Sequence, residues 1–81
     1  MREIVQGYAS NAIPLDAIWN DIDWMDEYED FTTGQGFEDL GGFVNEIHAK
    51  NLHYVPILDA GIAKRDGYAA YEDGMKRGVF I

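Results

Sequence analysis

The sequence is poor in cysteine, proline and positive charge. It has no cysteine, two prolines, and 6 Lys and Arg against 15 Asp and Glu. Without cysteine, the chain can form neither a disulfide nor a thiolate metal site to supplement its core. A net charge of −9 repels phosphate backbones and anionic lipid, so we expect no nucleic acid and no membrane surface as a partner.

Long apolar runs are missing as well. None approaches the roughly 20 residues of a membrane span, and the start, Met1-Arg2-Glu3-Ile4-Val5, lacks the apolar core of a signal peptide. The composition is that of a globular core, with 47% hydrophobic and 14% aromatic residues in a chain of 81. Because no turn or polar cap follows the apolar ending Val79-Phe80-Ile81, we expect a piece of a longer polypeptide.

Apolar periodicity divides the chain into helices and strands. It predicts a helix over 2–10, a strand over 17–22, a helix over 37–50 with Asn51 as a left-handed cap, and a strand over 52–59. We expect a long loop over 60–74, which is small, polar and glycine-containing, and the opening of a third strand over 78–81. Strand, helix and strand in this order form a βαβ unit with parallel strands and a right-handed crossover, so the fold class is α/β.

Carboxylates follow both predicted strands. Asp21 and Asp23 come at the end of the first strand, and Asp59 comes at the end of the second. Ligands of parallel α/β domains bind at the carboxyl ends of the strands, where carboxylates can accept hydrogen bonds from sugar hydroxyls. Strand alternation places Trp19, Asp21 and Asp23 on one side if the strand continues that far. Trp19 and Trp24 would then offer flat faces to a sugar ring.

Other interpretations of these residues stay open. The aspartates could cap the turns that follow the strands, and the tryptophans could belong to the core. Asp21, Asp23, Asp26 and Asp30 also form an oxygen-rich cluster of the kind that a hard cation prefers. Apolar residues interrupt this cluster and no glycine follows at the sixth position of a calcium loop, so we expect no metal site. The stretch 26–30 is then a solvated acidic loop.

Several motifs occur in the order of one known family. Residues 19–26, WNDIDWMD, are similar to the signature WNDIDYMD, with Trp24 in place of Tyr. Asp30-Phe31-Thr32 continues that match, and residues 57–62, ILDAGI, resemble a DPGI strand end with Ala60 in place of Pro. On these motifs the chain resembles glycoside hydrolase family 31, the retaining α-glucosidases, and within it the maltase-like branch.

The resemblance implies a (β/α)8 TIM barrel that hydrolyses terminal α-linked glucose without a cofactor. The chain, residues 1–81, would be a partial barrel of about two to three βα units, with the remainder of the barrel as its structural partner. By position, Asp21 and Asp59 would hold the glucose of a maltose-like oligosaccharide, Ile57 would line the same subsite, and Trp19 is a further substrate-binding candidate. The maltase-like branch implies an extracellular or lysosomal location.

No residue of this chain is expected to be catalytic. A retaining glycosidase uses two carboxyl groups about 5–5.5 Å apart, and in the resembled family both come from motifs later in the barrel. The parent protein would therefore be the α-glucosidase, whereas these 81 residues alone lack the catalytic acids. The alternatives are a non-catalytic carbohydrate-binding relative and a small acidic interaction domain.

Overall fold

A computed structural model describes the whole chain, which forms three helices and two strands. In chain order these are α1 (Arg2–Ser10), β1 (Ala17–Asn20), α2 (Leu40–Ala49), β2 (His53–Pro56) and α3 (Ala69–Arg77), with one 3₁₀ turn (Ile22–Trp24) after β1. None of the helices has both the length and the apolar character that crossing a bilayer would require.

The two strands are parallel neighbours. Their register runs from Ala17 opposite His53 to Asn20 opposite Pro56, which confirms the predicted parallel pairing around a helical crossover. Pro56 stands at the last pair of β2, where its missing N–H interrupts the ladder least. Beyond it, the N–H of Ile57 donates to the carbonyl of Asn20 at 3.0 Å, so the residue that follows β2 stays attached to the end of β1.

Helices cover only one face of this sheet. On that face Ile18 joins Val5 of α1 and Phe43 and Ile47 of α2 in the buried core. On the opposite face the paired residues Trp19 and Val55 are 65% and 52% exposed. Strand side chains alternate between faces, so the open face is a property of the whole sheet and not of one side chain.

The end of α2 follows the sequence prediction. Helical residues give way to Lys50, and Asn51 has φ +60°, the left-handed conformation that terminates many helices. The N–H of Leu52 then donates to the carbonyl of Ile47 at 2.9 Å, which directs the chain into β2.

The loop expected over 60–74 is wrong, because α3 begins at Ala69. Gly74, which suggested a loop, instead allows a close approach inside the helix. A Cβ atom at Gly74 would lie 2.4 Å from Cζ of Phe80. The true end of the helix is Gly78, with φ +62° in the left-handed region.

The third strand expected over 78–81 is also wrong. Val79 turns back at the end of α3, where its N–H donates to the carbonyl of Gly74 at 3.2 Å. Phe80 then stacks on Tyr71 of the same helix, with ring centroids 6.1 Å apart. Phe80 therefore packs on the helix that precedes it, whereas Val79 and Ile81 remain exposed.

The molecule is more extended than a typical domain of its size. Its radius of gyration is 15.7 Å, whereas the scaling for compact domains gives about 12 Å for 81 residues. Its accessible surface is 6143 Å², whereas folded monomers of this mass expose roughly 4900 Å². Much apolar surface therefore remains uncovered, including the open face of the sheet.

Candidate functional site

The candidate site lies where both strands end. Because β1 and β2 are parallel and in register, their carboxyl ends meet at one edge of the sheet. Asp21 follows β1 directly, and Asp59 comes three residues after β2. Both aspartates are exposed. The structure thus brings the two aspartates predicted from the sequence to the same edge.

Asp21 caps the turn that ends the first strand. Its Oδ1 accepts a hydrogen bond from the N–H of Ile22 at 2.7 Å, and the chain bends there into the 3₁₀ turn. Trp19, Asp21 and Asp23 would share one side only if the strand continued to Asp23, and that condition is not met, since β1 ends at Asn20. One oxygen of Asp21 serves as the cap, and the exposed side chain leaves the other available to a ligand.

Two side chains from the loop after β1 hold the backbone around Asp59. The indole Nε1–H of Trp24 donates to the carbonyl of Ile57 at 3.1 Å. Oδ2 of Asp30 accepts the N–H of Asp59 at 2.9 Å. The Asp59 residue is exposed, and its hydrogen bond to Asp30 uses the backbone N–H and not the carboxylate. The backbone is thus held while the side chain stays open.

The two tryptophans have different roles. Trp24 is 7% exposed, and its indole N–H donates to the carbonyl of Ile57. The interpretation of Trp24 as a core residue is therefore correct, and the interpretation that its ring faces a sugar is wrong. Trp19 lies on the open face of the sheet, with its ring free for contact. Ile57, the other apolar candidate, is exposed at the start of the loop after β2.

Asp30 is the main departure from the sequence interpretation of the acidic stretch. We expected a solvated residue, but Asp30 is only 2% exposed. Besides binding the N–H of Asp59, it offers its backbone carbonyl to the hydroxyl of Tyr68, which donates at 2.6 Å. Its Oδ1 is buried without a partner. Burial of a carboxylate is costly unless hydrogen bonds compensate, so the hydrogen bonds of Asp30 indicate a structural role at this edge.

An ion pair lies next to Asp30. The Arg65 guanidinium binds the largely buried Glu29 carboxylate through two nitrogens, with Nε to Oε1 at 2.7 Å. This hydrogen bonding lowers the pKa of Glu29 and raises that of Arg65. Burial raises the pKa of Tyr68, and the charges of Glu29 and Asp30 raise it further. Tyr68 therefore keeps its proton as the donor to Asp30.

The aspartates of residues 21–30 do not converge on a common point. The structure contains no group of three or more His, Cys, Asp or Glu side chains arranged to hold a metal ion. Asp21 is occupied as a cap, and Asp30 is turned toward the backbone of Asp59. What the edge offers chemically is a pair of open carboxylates beside exposed apolar side chains.

Comparison with known proteins identifies the family. The family described as the glycosyl hydrolases family 31 TIM-barrel domain matches residues 1–81, the whole chain. The chain belongs to glycosyl hydrolase family 31. This confirms the resemblance carried by the WNDIDWMD and ILDAGI segments.

Family 31 relatives are similar along the full chain. Lysosomal alpha-glucosidase of Rattus norvegicus is 39% identical over all of this chain, which spans 9% of that protein. Glucoamylase 1 of Schwanniomyces occidentalis is 37% identical, with 10% of its length spanned. Intestinal sucrase-isomaltase of Suncus murinus is 36% identical, with 5% spanned. The chain thus covers a tenth or less of each of these proteins.

Sequence reasoning missed the contacts that organise this family 31 edge. The side chains of Trp24, Asp30 and Tyr68 each bind a backbone group 29 to 38 positions away. The only local sequence signal for these contacts is Asp30 itself, because this acidic residue is followed by Phe31-Thr32 and not by further charged residues. The hydroxyl oxygen of Thr32 closes this stretch by accepting the N–H of Asp26 at 2.8 Å.

Proposed function

We propose that the chain is part of the catalytic (β/α)8 barrel of a retaining α-glucosidase, and that it contributes to the glucose subsite. The whole protein, called the parent enzyme below, would release terminal α-linked glucose from maltose-like oligosaccharides. Within it, Asp21 and Asp59 hold the sugar, while Ile57 and Trp19 supply apolar contact. The two catalytic carboxyl groups come from outside these residues.

The uncovered sheet face supports the barrel part of this proposal. Parallel sheets are normally buried on both faces, but here α1 and α2 cover only one. In a (β/α)8 barrel the helices lie outside and the other sheet face lines the interior. Trp19 and Val55, exposed side by side, occupy that interior face.

One observation carries the functional part. In a family 31 chain, Asp21 and Asp59 follow the carboxyl ends of two adjacent parallel strands and keep carboxylate oxygens open to solvent. Active sites of (β/α)8 enzymes lie at this end of the barrel. Two carboxylates at this edge can accept hydrogen bonds from neighbouring sugar hydroxyls and so hold the ring in a reactive position.

Kinetics of the parent enzyme test the proposal. We expect Asp21→Asn and Asp59→Asn each to lower kcat/KM on an aryl α-glucoside. The loss of transition-state stabilisation should be about 1–3 kcal/mol, the scale of a hydrogen bond to a charged group. Asp16→Asn is the matched control, since Asp16 is an exposed carboxylate at the other end of β1. We expect that variant to behave like the wild type.

The outcomes separate the alternatives. Unchanged kcat/KM in both Asp21→Asn and Asp59→Asn would show that the two aspartates only shape the backbone. A parent protein that binds maltose without hydrolysing any α-glucoside would indicate a carbohydrate-binding relative instead. A protein that does neither would favour an interaction domain.

A further inference from the structure

We propose that Trp24 and Asp30 are positioning residues that hold the segment Ile57–Asp59 in its binding conformation. This inference rests on the proposed function of Asp59, and it assigns the geometry of the subsite partly to two buried side chains. Two hydrogen bonds hold this three-residue segment, one at each end.

The two bonds act on the backbone and not on side chains. At the first end the indole of Trp24 donates to the carbonyl of Ile57 at 3.1 Å. At the other end Asp30 accepts the N–H of Asp59 at 2.9 Å. The pairing with β1 ends at the Ile57 N–H, which donates to the carbonyl of Asn20, so the sheet does not fix the backbone from the Ile57 carbonyl to Asp59. The loop after β1 does so instead.

The backbone that carries the two positioning side chains is itself held by hydrogen bonds. The carbonyl of Trp24 accepts the N–H of Gly34 at 2.9 Å, and a Cβ at Gly34 would lie 2.5 Å from the carbonyl oxygen of Met25. Only glycine therefore permits this close return of the loop. On the other side, the carbonyl of Asp30 is bound by the hydroxyl of Tyr68, the N-cap residue of α3.

Backbone strain in the same loop fits this interpretation. Glu27, Tyr28 and Phe31 have φ of +48°, +60° and +64°, a region that non-glycine residues adopt at a cost. Such conformations persist where surrounding contacts determine them, and they concentrate at binding sites. Here the bonds from Thr32, Trp24 and Asp30 provide those contacts.

The expected effect is on the geometry of Asp59. Without the Asp30 acceptor, the N–H of Asp59 loses its partner and the carboxylate can move away from the sugar. A displacement of about 1 Å can cost on the order of a hundredfold in rate. Asp30→Asn keeps one acceptor oxygen for that N–H, whereas Asp30→Ala removes it.

A double-mutant cycle in the parent enzyme tests the inference, with an aryl α-glucoside as the probe. We expect Asp30→Ala to lower kcat/KM by about tenfold or more when Asp59 is present, and by less than about twofold in the Asp59→Asn background. Asp30→Asn should retain most of the wild-type activity. Asp16→Ala, an exposed site at the opposite end of β1, should lose none.

Equal losses in both backgrounds would overturn the inference, since they would show that Asp30 acts on the fold and not through Asp59. If Asp30→Ala does not fold, Trp24→Phe in the same cycle replaces it, because this change removes the donor to Ile57 and keeps an aromatic ring. A harmless Asp59→Asn would refute the proposed function as well, whereas a damaging Asp59→Asn with additive Asp30 variants would refute the positioning role alone.

Discussion

At the scale of single residues, two tyrosine hydroxyls show how much a partner matters. Tyr68 donates from a buried position to the carbonyl of Asp30 at 2.6 Å. The hydroxyl of Tyr54 is buried as well but has no partner. Burial raises the pKa of both phenols. The same chemical deletion at the two sites should therefore have different consequences.

We predict that Tyr68→Phe destabilises the parent enzyme by about 1 kcal/mol, because it removes a hydrogen bond and leaves a buried carbonyl unsatisfied. Tyr54→Phe removes an unpaired hydroxyl and should leave the stability unchanged or raise it slightly. Urea unfolding followed by tryptophan fluorescence would measure both. Equal losses in the two variants would contradict the assigned partners.

At the scale of elements, the loops that follow the two strands are joined to each other. Trp24 and Asp30 bind the backbone after β2, Tyr68 reaches back from the start of α3, and Arg65 pairs with Glu29. All four contacts link residues 21–39 to residues 57–68. The edge that carries Asp21 and Asp59 is therefore formed by two loops that hydrogen bonds and an ion pair hold together.

The ion pair between Glu29 and Arg65 should make the contact between these two loops sensitive to acid. The pKa of Glu29 is lowered in the folded state, so its contribution to stability is complete above the unfolded value, about 4.3, and is lost as pH falls through the folded pKa. We predict that hydrogen-exchange protection over residues 57–68 in the parent enzyme falls between pH 5 and pH 3.

Glu29→Gln is the matched comparison for that experiment. Its protection should already be reduced at pH 5 and should decline less on acidification, since the titrating carboxylate is gone. Glu46, whose pKa is lowered by Arg2, remains in both proteins and cancels in the comparison. A wild type and a variant with parallel pH profiles would show that the Glu29–Arg65 pair contributes nothing.

At the scale of the whole molecule, the dominant feature is incomplete burial. Only 10 of 81 residues are buried, and the two-stranded sheet has open edges on both sides. Unpaired strand edges invite association with other chains. Hydrophobic gain and conformational entropy nearly cancel even in well-packed small domains, so an uncovered face tips the balance toward unfolding.

We predict that residues 1–81 expressed alone do not unfold cooperatively and do not cleave an α-glucoside. Thermal unfolding by circular dichroism and an aryl α-glucoside assay would measure the two properties. A sharp, reversible transition in a soluble monomer would show that the chain is an independent domain. Turnover by this segment would show that its own carboxylates include the catalytic pair.

The amino-acid sequence by itself determined α1, α2 and the parallel strands, because helical spacing and apolar runs are local properties of the chain. It also placed Asp21 and Asp59 at one edge, since parallel strands end on the same side. Only the tertiary structure decided that Asp30 is buried and that Trp24 is a backbone donor. Their partners lie some 30 positions away, across two loops whose paths no local pattern records. The sequence also does not predict α3, because Gly74 indicates a loop by its local pattern. The structure shows that Gly74 lies within the helix, where the absence of a side chain makes room for the Phe80 ring.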